Sequence, residues 1–274
     1  MESSNHLVLI TGSGSGFGEC IATTLPTKLQ QHFSEVASSK AKVFAVLVGR
    51  SYVDLEKVSN KIKSDSISVE IVDSVELNEV SKQSYEKVVE ACKKLEKVAS
   101  GGFETITMIH NAGTAGDVSK RVDEYDDIEQ ISRYYNINLV SFVALNSMLL
   151  RWAMQTQSKK ILVVQISSLL AVKAFPNWGL YASAKSARDQ LLAVAAEENI
   201  SRVKTLSYAP GPLDNKMQQF IRENIGDEDQ KCIYSTMFNE NQLVSMQDSV
   251  DSLVKLVLKD EFTSGSHIDY FDTL

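Results

Sequence analysis

Tyr181 and Lys185 stand four residues apart in Leu180-Tyr181-Ala182-Ser183-Ala184-Lys185, and Ser168 lies thirteen positions before the tyrosine. On a helix this i,i+4 spacing sets both side chains on one face. A lysine ammonium beside a phenol favours the phenolate, so the tyrosine pKa is expected to fall towards the working pH. Tyr181 is then a candidate proton donor to a carbonyl oxygen, with Ser168 hydrogen-bonding the same oxygen. Tyr-x3-Lys also arises by chance, and a plain core tyrosine is the alternative. What surrounds the pair decides.

The elements that must position it begin with Leu7-Val8-Leu9-Ile10, a short apolar run followed at once by Thr11-Gly12-Ser13-Gly14-Ser15-Gly16-Phe17-Gly18. A strand, a glycine-rich turn and a helix N-terminus form a site for a dinucleotide pyrophosphate, because the glycines admit close backbone approach and free N–H groups meet the anion. Gly12, Ser13, Ser15, Gly16, Phe17 and Gly18 are the cofactor candidates of this turn. Apolar, β-rich runs recur at 7–11, 43–48, 67–72, 105–109, 160–166 and 202–208, with helical stretches at 17–35, 52–63, 78–98, 124–154 and 179–198 between them. That alternation predicts βαβ units in one doubly wound Rossmann-type α/β domain spanning 1–274. A last helix near 247–259 and a strand from Ser266 complete a mostly parallel sheet of seven strands. Pro26 should kink or shorten the first helix. Ser38-Ser39-Lys40-Ala41-Lys42 reads as a polar connector. Arg50 ends the second strand, where an arginine suits a ribose 2′-phosphate and an acid would suit the bare hydroxyl, so NADPH is favoured over NADH. A solvated arginine is the alternative.

Composition narrows the function. A net charge of −7 argues against bulk nucleic-acid binding or an anionic membrane surface. No apolar run reaches the length of a membrane span, and residues 1–6 read as carrying no basic, apolar-flanked leader. Cys20, Cys92 and Cys232 are three widely spaced cysteines, which suggests free thiols in a reducing, cytoplasmic setting. His6, His32 and His267 are isolated, so no metal is expected. Residues 223–245 are Asn-, Gln- and Asp-rich and the least regular stretch; they are placed to lie over the strand C-termini as a substrate lid or as an ordinary surface excursion.

Together, the glycine turn, Asn111-Ala112-Gly113, Asn138 and the Ser168/Tyr181/Lys185 set resemble the short-chain dehydrogenase/reductase family, in the family's order and over essentially the whole chain. The resemblance implies catalytic roles for Ser168, Tyr181, Lys185 and Asn138, the last holding a proton-relay water. The thirteen-residue spacing selects Ser168 over Ser167, and Asn136 competes with Asn138. For the cofactor it implies Asp73 at the adenine, Asn111, Ala112 and Gly113 under the nucleotide, and Lys185 on the nicotinamide ribose. Pro210, Gly211 and Leu213 would sit at the nicotinamide amide. His110 replaces a first asparagine as a packing variant, and Ser15 stands where a second basic residue is frequent.

Gly116-Asp117-Val118-Ser119-Lys120, Tyr208-Ala209-Pro210-Gly211-Pro212-Leu213-Asp214 and Met217-Gln218-Gln219 resemble one branch of the family, which reduces side-chain carbonyls of pterins. That branch implies Asp269 as the anchor of the pterin's amino-pyrimidinone edge, whose two parallel N–H groups suit a carboxylate. Phe175, Trp178 and Met217 are wall candidates for a flat ring. It also implies a homodimer built on the helices at 124–154 and 179–198. A general carbonyl or diketone reductase, or an NADP-sensing protein without turnover, are the alternatives.

Overall fold

β1 (Asn5–Thr11) sets the plan of the molecule, because its apolar residues alternate between two cores. Leu7 and Leu9 pack on one face of the sheet with Val88, Met108, Leu145 and Leu149, and Val8 and Ile10 on the other with Ile21, Leu25, Val250 and Leu253. A strand buried on both sides needs no polar face, which is why these runs read as continuously apolar. The structure is a computed structural model that describes residues 4–37 and 40–274. Residues 1–3 of the N-terminal stretch and Ser38-Ser39 of the connector lie outside the described residues.

β2 (Lys42–Val48), β3 (Ile67–Val72), β4 (Thr105–His110), β5 (Lys160–Ile166), β6 (Val203–Ala209) and β7 (Ser266–Asp269) complete a seven-stranded sheet of order β3-β2-β1-β4-β5-β6-β7. Every neighbouring pair is parallel. The order reverses between β1 and β4, and a crevice opens there beyond the strand C-termini.

α1 (Gly16–Ala37) runs unbroken through Pro26 and is not shortened. Ile21, Ala22, Leu25 and Leu29 are all buried on the sheet, and that packing outweighs the one backbone bond the proline removes. α2 (Tyr52–Ile62) and α3 (Lys82–Val98) begin at Ser51 and Ser81, whose hydroxyls accept from the N–H groups of Asp54 and Ser84. The long stretch at 124–154 is not one helix. α4 (Ile128–Tyr135) starts at the Asp127 cap, a π-helical turn covers Asn136–Val140, and α5 (Ser141–Ala153) follows. α6 (Gly179–Glu197) covers the same face of the sheet.

The segment at 223–245 is more ordered than its composition suggests. α7 (Lys216–Asn224) and α8 (Glu228–Asn239) are capped by Asn215 and Asp227, so the residues that look like loop formers serve as helix starts. α9 (Met246–Lys259) packs against α1, and a short 3₁₀ turn, Tyr270–Thr273, ends the chain.

Candidate active site

The glycine turn is built where β1 ends. The Thr11 hydroxyl accepts from the backbone N–H groups of Asn111 and Ala112, both at 3.1 Å. Asn111 Nδ2 donates back to the carbonyls of Thr11 and Gly12 at 3.2 and 3.3 Å, so the ends of β1 and β4 are held together. Gly12 and Gly16 have φ of +66° and +57°, where a side chain is strained. A Cβ on Gly18 would stand 2.1 Å from the Gly12 carbonyl oxygen, so only glycine lets α1 start this close to β1. At Gly16 a Cβ would meet nothing within 4 Å, which leaves bare backbone at the helix N-terminus beside the exposed Ser15. This cradle fits a dinucleotide pyrophosphate.

Ser13 does not face the cleft. It is fully buried, and its N–H and hydroxyl both donate to the Val48 carbonyl at 3.2 and 3.3 Å, which moors the turn to β2. Arg50 is exposed just beyond β2 and lines the cleft, as do Gly12, Ser15, Gly16, Phe17, Gly18, Asn111, Ala112 and Gly113. Asp73 is not brought to the wall. Its carboxylate accepts from the Ser74 hydroxyl at 3.0 Å, the chain turns at Ser74 (φ +56°), and Val75 to Asn78 form the wall there.

The cleft encloses about 1660 Å³ and runs from the glycine turn to the C-terminal turn. That exceeds the ~300–1000 Å³ of a pocket for one small ligand, leaving room for a dinucleotide and a second molecule. Ser168, Tyr181 and Lys185 meet on its wall. Ser168 follows β5 in an extended conformation, and its hydroxyl accepts from the Leu170 N–H at 3.2 Å. Lys185 is buried, donates from Nζ to the Ile166 carbonyl at 2.5 Å, and lies 5.4 Å from the centre of the Tyr181 ring.

The electrostatics differ from the expectation at Tyr181. Burial pushes its phenol up to about 12, with Arg188 and the Ser168 hydroxyl pulling the other way. Lys185 does not lower it. Burial drives the Lys185 ammonium itself well below its ordinary value, Arg188 adds to that, and Asp189 opposes it. The lysine sits over the ring face and is bonded to the Ile166 carbonyl, so in the resting site it does not offset the cost of burying the phenol. The phenol stays protonated at neutral pH, which is the state a proton donor needs.

Asn138 is buried in the π-helical turn and does not line the cleft. Its Oδ1 accepts from the Thr114 N–H at 2.9 Å and its Nδ2 donates to the Tyr134 carbonyl at 3.1 Å. It thereby ties the helix bulge to the Asn111-Ala112-Gly113 segment. Sequence reasoning missed Arg188, which is fully buried and donates to the carbonyls of His110 at 3.0 Å, Ala112 at 3.4 Å and Asn138 at 3.5 Å. Its place one turn after Lys185, on the same helix face, was the available signal. His110 is buried against Phe142, with Nε2 3.2 Å from Asn146 Oδ1, and burial takes its imidazole down to about 3.

At the far end Pro210, Gly211, Leu213, Phe175, Trp178, Met217 and Asp269 line the cleft. Trp178 is edge-on to Tyr181 at 5.3 Å and to Tyr234 of α8 at 6.2 Å. Gln230, Ile233, Tyr234 and Met237 place α8 over the same space. The joint between α7 and α8 is tight: Gly226 donates to the Val118 carbonyl at 3.0 Å, and a Cβ there would lie 2.1 Å from the Ser119 oxygen. Asp269 has a second occupation. It caps the terminal turn, accepting from Phe271 N–H at 3.0 Å, so only part of its carboxylate is left for a ligand.

Residues 6–226 match the short chain dehydrogenase model. The sepiapterin reductase of Meriones unguiculatus is 34% identical over 96% of this chain and 95% of its own length. That of Bos taurus is 32% identical over 97% and 94%. The crystal structure of a short-chain dehydrogenase/reductase from Saccharomyces cerevisiae superposes with a TM-score of 0.74 at 25% identity, covering 98% of this chain and 96% of that one. This chain therefore belongs to the short-chain dehydrogenase family, and groups there with the sepiapterin reductases.

Proposed function

We propose that the chain reduces the side-chain carbonyls of pterins with NADPH, taking sepiapterin to dihydrobiopterin and pyruvoyl-tetrahydropterin to tetrahydrobiopterin. The observation that carries this reading is the single cleft in which Ser168, Tyr181 and Lys185 lie between the glycine turn and Asp269. The kinship with sepiapterin reductases of other species supports the choice of substrate. A nicotinamide dinucleotide is the family's cofactor and, when bound and reduced, supplies the hydride.

The chain's own residues do the rest. Ser168 donates a hydrogen bond to the substrate carbonyl oxygen and polarises it. Tyr181, held as the neutral phenol, gives its proton to that oxygen as the alkoxide develops. As Tyr181 gives up its proton, the developing phenolate joins Asp189 in favouring the charged form of Lys185, and that cation over the ring in turn favours the phenolate. Asp269 accepts N–H groups at the substrate's ring edge, far from the reacting carbonyl, while Trp178, Phe175 and the α8 side chains exclude water. Arg50, the exposed cation beside the adenosine end, favours the 2′-phosphate of NADPH.

Among the described residues no helix is long and apolar enough to cross a membrane, and the reading is of a cytoplasmic enzyme. A homodimer would be built on the elements from α4 to α6, where Ile128, Val140 and Val194 are each exposed. The purified protein should oxidise NADPH, read by absorbance, on addition of sepiapterin and form dihydrobiopterin. Oxidation with small diketones and none with sepiapterin would replace the pterin reading by a general carbonyl reductase.

A further inference from the structure

The polar core behind the active site is organised by one carboxylate. Asp189 lies on α6 one turn beyond Lys185. Its Oδ1 accepts from the Ser167 hydroxyl at 2.7 Å and from Gln165 Nε2, and its Oδ2 meets His267 Nδ1 at 2.6 Å. Gln165, Ser207 and His267 occupy one register row across β5, β6 and β7, and Gln165 Nε2 also donates to the Ser207 hydroxyl at 3.2 Å. Ser167 immediately precedes Ser168, and His267 stands two residues before Asp269, on the same face of β7.

We propose that Asp189 and His267 are the positioning pair of this site: one carboxylate ties the Ser168 end of β5 to the Asp269 end of β7 and supports the charge of Lys185, while His267 competes with Lys185 for it. Neither residue touches the reacting carbonyl. The substrate half of the proposal rests on the pterin reading above; the Lys185 half needs only a reductase.

The surrounding charges fit this division. His267 is raised above its ordinary value, first by its bond to Asp189, against burial, with Asp269 and Asp272 adding their fields. Lys185 is opposed by burial and by Arg188, and Asp189 is the group that supports its charge. When His267 is protonated it neutralises Asp189 and leaves Lys185 with less support. When His267 loses its proton the full carboxylate charge is available to the lysine. Substrate anchoring and proton donation are thereby linked through one side chain.

The test uses the full-length enzyme, two variants and two substrates. Asp189→Asn keeps the shape and an acceptor but removes the charge, so Lys185 should lose its proton earlier. The alkaline limb of kcat with a small diketone is expected to move to lower pH by about one unit or more, the scale of a lost ion-pair contribution. His267→Gln removes the competitor and leaves the carboxylate, so that limb should stay or move to higher pH. Its KM for sepiapterin should rise about fivefold or more while the diketone KM holds, since only the pterin reaches Asp269.

A readout independent of turnover is the NMR titration of the His267 ring, assigned by its loss in His267→Gln. It should titrate above 6.5 in the parent and fall back in Asp189→Asn. A folded Asp189→Asn with the parental pH profile, or two variants that move the limb the same way, overturns the proposal. Should Asp189→Asn fail to fold, a His267 that titrates at or below its ordinary value in the parent overturns it. An enzyme that reduces the diketone and not sepiapterin refutes the pterin reading and leaves the pH arm to decide this one.

Discussion

At the scale of single residues, Tyr181 carries the chemistry and Asp269 the selectivity. Tyr181→Phe keeps the ring against Trp178 and removes only the proton, so kcat should fall by about 10²–10⁴ with the melting temperature and NADPH affinity held. An activity within threefold of the parent would overturn the role. Asp269→Asn changes the charge but retains a side chain that caps a helix turn equally well. Thermal stability should therefore hold while kcat/KM for sepiapterin drops by about tenfold or more, because a donor then faces a donor. Equal losses with sepiapterin and with a diketone would make Asp269 a folding residue. Arg50→Ala should raise KM for NADPH by the equivalent of about 1.5–3 kcal/mol and leave that for NADH unaltered; equal effects on both would make the arginine structural.

At the scale of elements, the cover of the cleft depends on the joint between α7 and α8. Gly226 is packed on the Ser119 carbonyl, next to Asn177 Nδ2, which donates to the same oxygen at 3.0 Å. A methyl group has no space there. Gly226→Ala should destabilise the protein by about 1–3 kcal/mol, the range for overpacking, and raise KM for sepiapterin as α8 is displaced. Unchanged denaturation midpoint and KM would mean that the joint adjusts freely. The capping residues Asn215 and Asp227 explain why a stretch rich in loop-forming residues is helical: each starts a helix that the other side chains do not oppose.

At the scale of the whole molecule, stability should depend on pH through histidines of opposite character. Burial lowers His6 to about 4 and His110 to about 3, so both stay neutral in the fold while the unfolded chain takes up protons below its ordinary value of 6.5. Unfolding is thus favoured as pH falls from 6.5 through those folded values, by the order of a few kcal/mol for His110. His267 works in the opposite sense. Its folded value is raised by Asp189, so its contribution is present below 6.5 and is lost as pH rises through the folded value. Two groups oppose one, and the melting temperature should drop between pH 7 and pH 4. His110→Asn, which can keep a bond to Asn146, should flatten that slope; an unchanged slope would show that other groups dominate.

The parallel α/β order was legible in the sequence because a strand buried on both faces must be apolar throughout, and the helices between carry one apolar stripe each. Thr11 to Gly18 declared the nucleotide turn for an equally local reason, since only glycine fits the positive φ at Gly12 and the contact at Gly18. Tyr181, Lys185 and Ser168 could be paired by helical spacing and distance along the chain. What the chain order hid was set by contacts between distant segments. Asp73 turns away because Ser74 reverses the chain, Ser13 is drawn onto β2, and Asn138 is consumed by the Thr114 and Tyr134 backbone. The phenol of Tyr181 is governed by burial, which no i,i+4 spacing reports. Arg188, Asp189 and His267 acquire partners on or beside β4, β5 and β7 only once the sheet is assembled, so their roles belong to the tertiary structure.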